Sequence, residues 1–130
     1  DADYEKTIRR KVSQYKLDGI IKFIGPVSQT EALRLYQEHE IYVNLTPSGS
    51  MDKTIFEAMA CGAIPLVANQ DLKEILSEEL TLSSSEALNI SNQIKNLLET
   101  KKVSDLRTFV VTNHSLDLLM AKLKKDLTTI

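Results

Sequence analysis

The sequence predicts an α/β fold with three layers, a parallel sheet flanked by helices on its faces. Three observations carry this. Short β-branched and apolar runs at residues 20–24, 41–45 and 64–68 alternate with stretches whose apolar residues recur at helical spacing. Gly, Pro, Ser and Asp punctuate the joints between them. A helix inserted between successive strands carries the chain back to the same end of the sheet, so the strands run parallel. The chain has 130 residues, 42% of them hydrophobic, which is enough for one domain to bury a core without disulfides or a structural metal.

Residues 3–15 read as a helix, because Tyr4, Ile8, Val12 and Tyr15 share a face with charges between them. Leu17, Asp18 and Gly19 end it, and Gly25-Pro26 closes the strand predicted at 20–24. The next helix, 28–38, is capped by Ser28 or Thr30 and turns Leu33 and Tyr36 inward. Strand 41–45 leads into the small-residue loop 46–50, then a helix at 53–61 with Gly62 as its C-terminal cap. Strand 64–68, a short helix at 71–76 and a weak strand at 80–82 follow. Three apolar stripes complete the chain as helices: Ala87, Ile90, Ile94, Leu97 and Leu98; Val103, Leu106 and Val110; Leu116, Leu119, Met120, Leu123 and Leu127.

Several function classes fall away on composition. The net charge is −2, and Lys and Arg are mixed with Asp and Glu apart from Arg9, Arg10 and Lys11 and the late Lys122, Lys124 and Lys125. A nucleic-acid binder shows a basic excess and exposed rings for base stacking, and this chain has no Trp and few aromatics. A single cysteine, Cys61, cannot form an intramolecular disulfide; it reads as a small buried helix residue and suits the reducing cytosol. No run approaches the ~18 apolar residues of a membrane span. His39 and His114 have no nucleophile at recognisable spacing and are expected in surface or capping roles. The chain opens on Asp1 in place of Met, and is expected to be a piece of something longer.

The stretch from Thr46 to Gly62 carries the chemistry. It follows a parallel strand, at the carboxyl end where such sheets bind ligands. Gly49 allows close approach of the backbone, the first turn of the helix points unpaired N–H groups outward, and Lys53 adds a positive charge. With the hydroxyls of Ser48, Ser50 and Thr54, this can hold a diphosphate. A second reading stays open: Asp52 is simply the helix cap, and Thr54 to Glu57 is a capping box in which Glu57 is structural.

Phe56-Glu57-Ala58-Met59-Ala60-Cys61-Gly62-Ala63-Ile64-Pro65-Leu66-Val67-Ala68 closely resembles the Glu-Ala-Met-Ala-x-Gly-x-Pro-Val-Val signature of group 1 (family 4) glycosyltransferases. It lies after a strand ending in Leu45-Thr46-Pro47-Ser48, and Ile21-Lys22-Phe23-Ile24-Gly25 resembles an upstream segment of the same family. The resemblance is specific over about residues 20–76. It implies the GT-B architecture, two Rossmann-like domains facing a cleft, with this chain a single partial nucleotide-sugar-binding domain spanning 1–130. It implies a nucleoside-diphosphate sugar as donor, transfer with retention, and no cofactor or metal. On the family pattern Glu57 accepts hydrogen bonds from ribose hydroxyls. The donor loop is Gly49, Ser50, Met51, Asp52, Lys53 and Thr54, and Asn69, Gln70 and Glu74 are weaker candidates for donor contact. The catalytic residue on the acceptor side is unassigned.

Two departures from the family matter. The glutamate expected eight positions before Glu57 is Gly49, and Asp52, which could supply an acceptor, stands three residues out of register. The strands and the phosphate-binding Arg and Lys that open the family's domain have no match here. The expected fragment is therefore inactive alone and lacks central strands between 20–24 and 41–45. Open sheet edges invite self-association. The acceptor, a lipid or a glycan, is not specified, and the expected location is cytoplasmic, peripheral to the inner membrane face if Arg9, Arg10 and Lys11 meet anionic lipid. The alternatives are a non-catalytic nucleotide- or phosphate-binding module and a protein-interaction domain.

Overall fold

A computed structural model describes residues 2–100 and 105–128. The order is α1 (Ala2–Gln14), α2 (Gln29–Glu38), β1 (Ile41–Asn44), α3 (Lys53–Ala60), β2 (Ile64–Val67), 3-10 turns at Gln70–Glu74 and Glu78–Leu80, then α4 (Ala87–Thr100), α5 (Leu106–His114) and α6 (Leu116–Thr128). The α/β class holds: β1 and β2 pair in parallel, Ile41 opposite Ile64 and Asn44 opposite Val67, with helices around them. The weak strand expected at 80–82 contributes one parallel bridge, Thr81 to Val67. Pro65 is tolerated inside β2 because the ladder to β1 runs through its neighbours, Ile64 N to Glu40 O and Ala68 N to Asn44 O. At residue 65 the missing N–H faces away from β1.

The core gathers on this small sheet. Ile55 and Met59 of α3, Leu66 and Val67 of β2, and Leu72, Leu76, Leu80 and Leu82 from the turns are buried together, and Leu97 of α4 and Val110 of α5 close the cluster. Helix α3 presents Ile55, Ala58 and Met59 inward because i, i+3 and i+4 share one face. It stops where Gly62 takes φ +95°, a conformation that returns the chain into β2.

The structure corrects two expectations, the strand at 20–24 and the inward Leu33. Residues 20–24 do not form a strand; among the described residues no strand pairs with them, the Ile20 and Ile21 N–H groups donate back to Leu17 O, Ile20 is 77% exposed and Phe23 lies under the Arg9 guanidinium at 4.2 Å. A strand needs a neighbouring strand to complete its hydrogen bonds, and among the described residues none pairs with this run. Leu33 of α2 faces solvent; Tyr36 alone of that predicted pair packs inward, edge-on to Tyr42 with centroids 5.4 Å apart. The last apolar stripe forms α6, but Leu116, Leu119, Met120, Leu123 and Leu127 are all exposed. Val103 of the middle stripe lies outside the described residues. No described helix is long and apolar enough to cross a membrane.

Candidate functional site

The site is built where β1 runs into α3. Strand alternation places Tyr42 and Asn44 on one face, and both turn toward the start of α3. Asn44 is buried with both ends of its amide engaged: Oδ1 accepts the Thr46 N–H at 2.9 Å, and Nδ2 donates to Asp52 Oδ2 at 2.8 Å and to the Tyr42 hydroxyl at 3.2 Å. Asp52 is the N-cap of α3, in extended backbone conformation. Its Oδ1 accepts the Thr54 N–H at 3.0 Å and the Thr54 hydroxyl at 2.6 Å. Thr54 therefore has its oxygen lone pairs free for Tyr42, whose hydroxyl lies 2.6 Å away and donates to it. The result is a closed ring, Asn44 to Tyr42 to Thr54 to Asp52 and back to Asn44. The Thr54 hydroxyl, the Asn44 amide and the Thr54 N–H together hold the Asp52 carboxyl below the usual carboxylate range.

The ring bears on the helix start through its cap. Asp52 is the cap, and it has taken the Thr54 amide. The capping box is not formed, and the Glu57 carboxylate is left to point out one turn along, half-exposed, with Lys53 Nζ at 3.5 Å. The positive end of the helix already faces the Asp52 carboxylate. The Lys53 side chain is 83% exposed.

The rest of the loop is fixed from the neighbouring strand. Gly49 has φ +93°, with open space where a Cβ would stand. Its N–H donates to Asp71 Oδ2 at 2.7 Å. Ser48 Oγ accepts the Gln70 N–H at 2.9 Å, and Ser50 O accepts Asn69 Nδ2 at 2.7 Å. Met51 stands exposed at the crest of the loop.

Of the expected donor residues, the structure joins Asp52 with Thr54 and Lys53 with Glu57, and places Gly49 and Ser50 against Asp71 and Asn69. Met51 is not drawn into these contacts. Asn69 and Gln70 hold the loop from behind; Asn69 is 2% exposed. Sequence reasoning missed Tyr42, Asn44 and Asp71. The period-2 pairing of Tyr42 and Asn44 ahead of a capping Asp could have flagged the first two; Asp71 is 22 residues from Gly49 and left no local signal. His39 Nδ1 donates to Leu35 O at 2.7 Å, and His114 packs between Phe56 and Phe109 with centroids at 4.5 and 5.5 Å. Cys61 is half-buried, and burial pushes its thiol pKa up.

A glycosyl transferase-like family profile matches residues 5–123, nearly the whole chain and the entire site. No curated protein and no solved structure matches the chain. The motif from Phe56 to Ala68, its position after β1 and this match agree: the chain belongs to the glycosyl transferase-like family.

Proposed function

We propose that the chain is a single, partial donor-binding domain of a group 1 glycosyltransferase of GT-B architecture, taking a nucleoside-diphosphate sugar and transferring the sugar with retention. The observation that carries this is the state of Glu57. Its carboxylate is free of helix capping, half-exposed, and stands beside an ordered loop at the carboxyl end of a parallel strand. Two acceptor oxygens on one carboxylate suit the two adjacent hydroxyl donors of a ribose.

In this reading Glu57 holds the ribose and residues 49–54 lie along the diphosphate and sugar. Lys53 turns from Glu57 toward the phosphates, supplying the charge that the Asp52-capped helix end does not. The bond between the anomeric carbon and the diphosphate oxygen breaks, and the diphosphate leaves with the electron pair. The acceptor hydroxyl forms the new bond on the same face and passes its proton to the departing diphosphate oxygen. Lys53 stabilises the charge that develops on the leaving diphosphate. The acceptor is a lipid or a glycan, handled at the cytoplasmic face, and no metal or cofactor takes part. Without an acceptor-binding domain the chain alone is inactive; transfer by the purified chain would overturn that part.

Ligand-observed NMR with UDP and GDP tests the donor site, alongside Glu57→Ala. Saturable binding of one nucleotide, weakened about tenfold or more in the variant, is expected, since a charge-assisted pair is worth about 1.5–3 kcal/mol. Binding that Glu57→Ala leaves unchanged would remove Glu57 from the site.

A second reading, a pairing module, has its own observation. Among the described residues β1 has a neighbour on one side alone, and the apolar residues 20–24 are exposed. It predicts self-association.

A further inference from the structure

Loop 48–50 and the turn at 69–71 come from the ends of different strands, yet three successive residues of the turn bind three successive residues of the loop. Asn69 Nδ2 donates to Ser50 O at 2.7 Å, the Gln70 N–H donates to Ser48 Oγ at 2.9 Å, and Asp71 Oδ2 accepts the Gly49 N–H at 2.7 Å. We propose that Asn69, Gln70 and Asp71 are positioning residues for the donor loop, setting its backbone from behind without touching the donor; the donor part of this claim rests on the function proposed above.

The turn is itself rigid. Asn69 is buried, and its Oδ1 accepts the Asp71 N–H at 2.9 Å while its Nδ2 reaches the loop, so neither end of the amide is available to a ligand. The Gln70 side chain donates to Ala68 O at 2.9 Å and Leu82 O at 2.8 Å, tying the turn to the end of β2 and to the segment that bridges it. Gly49, at φ +93°, has no Cβ packing to hold it, so its amide bond to Asp71 is the contact that fixes its orientation. The Asp71 bond is charge-assisted and the strongest of the three by type. A loop with three small or polar residues in sequence would otherwise sample many conformations, and fixing it in advance lowers the cost of binding.

The test is amide hydrogen exchange at Gly49, read by NMR on the ligand-free chain, together with UDP and GDP titration. Asp71→Asn keeps the shape and weakens the bond; Asn69→Asp keeps the acceptor for Asp71 N–H and removes the donor to Ser50. Both variants are expected to speed Gly49 exchange about tenfold and to weaken nucleotide binding while the melting temperature of Asp71→Asn stays near that of the parent. Should Asn69→Asp fail to fold, Asp71→Asn at its exposed site decides by the same readout. Unchanged Gly49 exchange in Asp71→Asn overturns the proposal, and if nucleotide binding falls at the same time Asp71 is a ligand residue instead. Failure of the parent chain to bind either nucleotide sinks the donor reading, while the exchange arm still decides whether the turn sets the loop.

Discussion

Asp52 shows how hydrogen bonds inform a question that spacing leaves open. A serine, a threonine or an aspartate at a helix start can serve a ligand or the helix, and sequence alone does not separate these roles. The hydrogen bonds show the capping role: both Asp52 oxygens are engaged within the chain, by Thr54 and Asn44. Asp52→Ala is expected to lower stability by about 1 kcal/mol in urea unfolding, and Asp52→Asn by less, since Asn also caps. The pH dependence has a definite sign. The folded-state pKa of Asp52 is depressed, so its contribution is present above the ordinary carboxylate pKa and is lost as pH falls through the lower folded value. Asp52→Asn should flatten that part of the acid limb; an unchanged acid limb would contradict the ring. Glu57 was singled out because its motif is distinctive. Tyr42 and Asn44 were not, because their contribution depends on strand alternation bringing them to a helix that starts 9 residues after Asn44.

Among the elements, α3 is the one whose identity follows from local sequence at both ends: Asp52 starts it, Ile55, Ala58 and Met59 give it a buried face, and Gly62 ends it. Gly62→Ala is expected to cost about 1 kcal/mol, because φ +95° strains any residue with a Cβ even where space is open. Ile55→Ala, in the fully buried centre, is expected to cost about 2–5 kcal/mol by chemical denaturation; a cost near zero would mean the core is not assembled around α3. β1 and β2 were legible to within one residue. The stretch 20–24 was misread because strand propensity describes fit to a sheet and cannot supply the sheet. Leu33 fails in the same way, and the α6 stripe forms its helix yet stays exposed: helical periodicity marks an apolar face, and only a packed neighbour buries it.

At the scale of the molecule, packing is uneven. The core sits on β1, β2 and α3, while α6 has no buried residue and the apolar side chains of 20–24 face solvent. An edge strand with an unpaired side and nearby exposed apolar residues favours association. The chain is expected to show mass increasing with concentration in size-exclusion chromatography with light scattering. A monomer at all concentrations would remove the pairing reading and leave the donor site as the sole proposal. The family was legible from one motif, and the fold class from alternation; the extent of the sheet was not, since it depends on which strands find partners.

The central claim is that a nucleotide sugar binds along residues 49–54 and Glu57. Amide chemical-shift mapping of the labelled chain with UDP or GDP tests it most directly. The account predicts shifts centred on Gly49, Ser50, Lys53, Thr54 and Glu57, with α6 silent. Shifts gathered instead on the open groove between α1 and residues 22–25, lined by Tyr4, Ile8, Arg9 and Phe23, would contradict it.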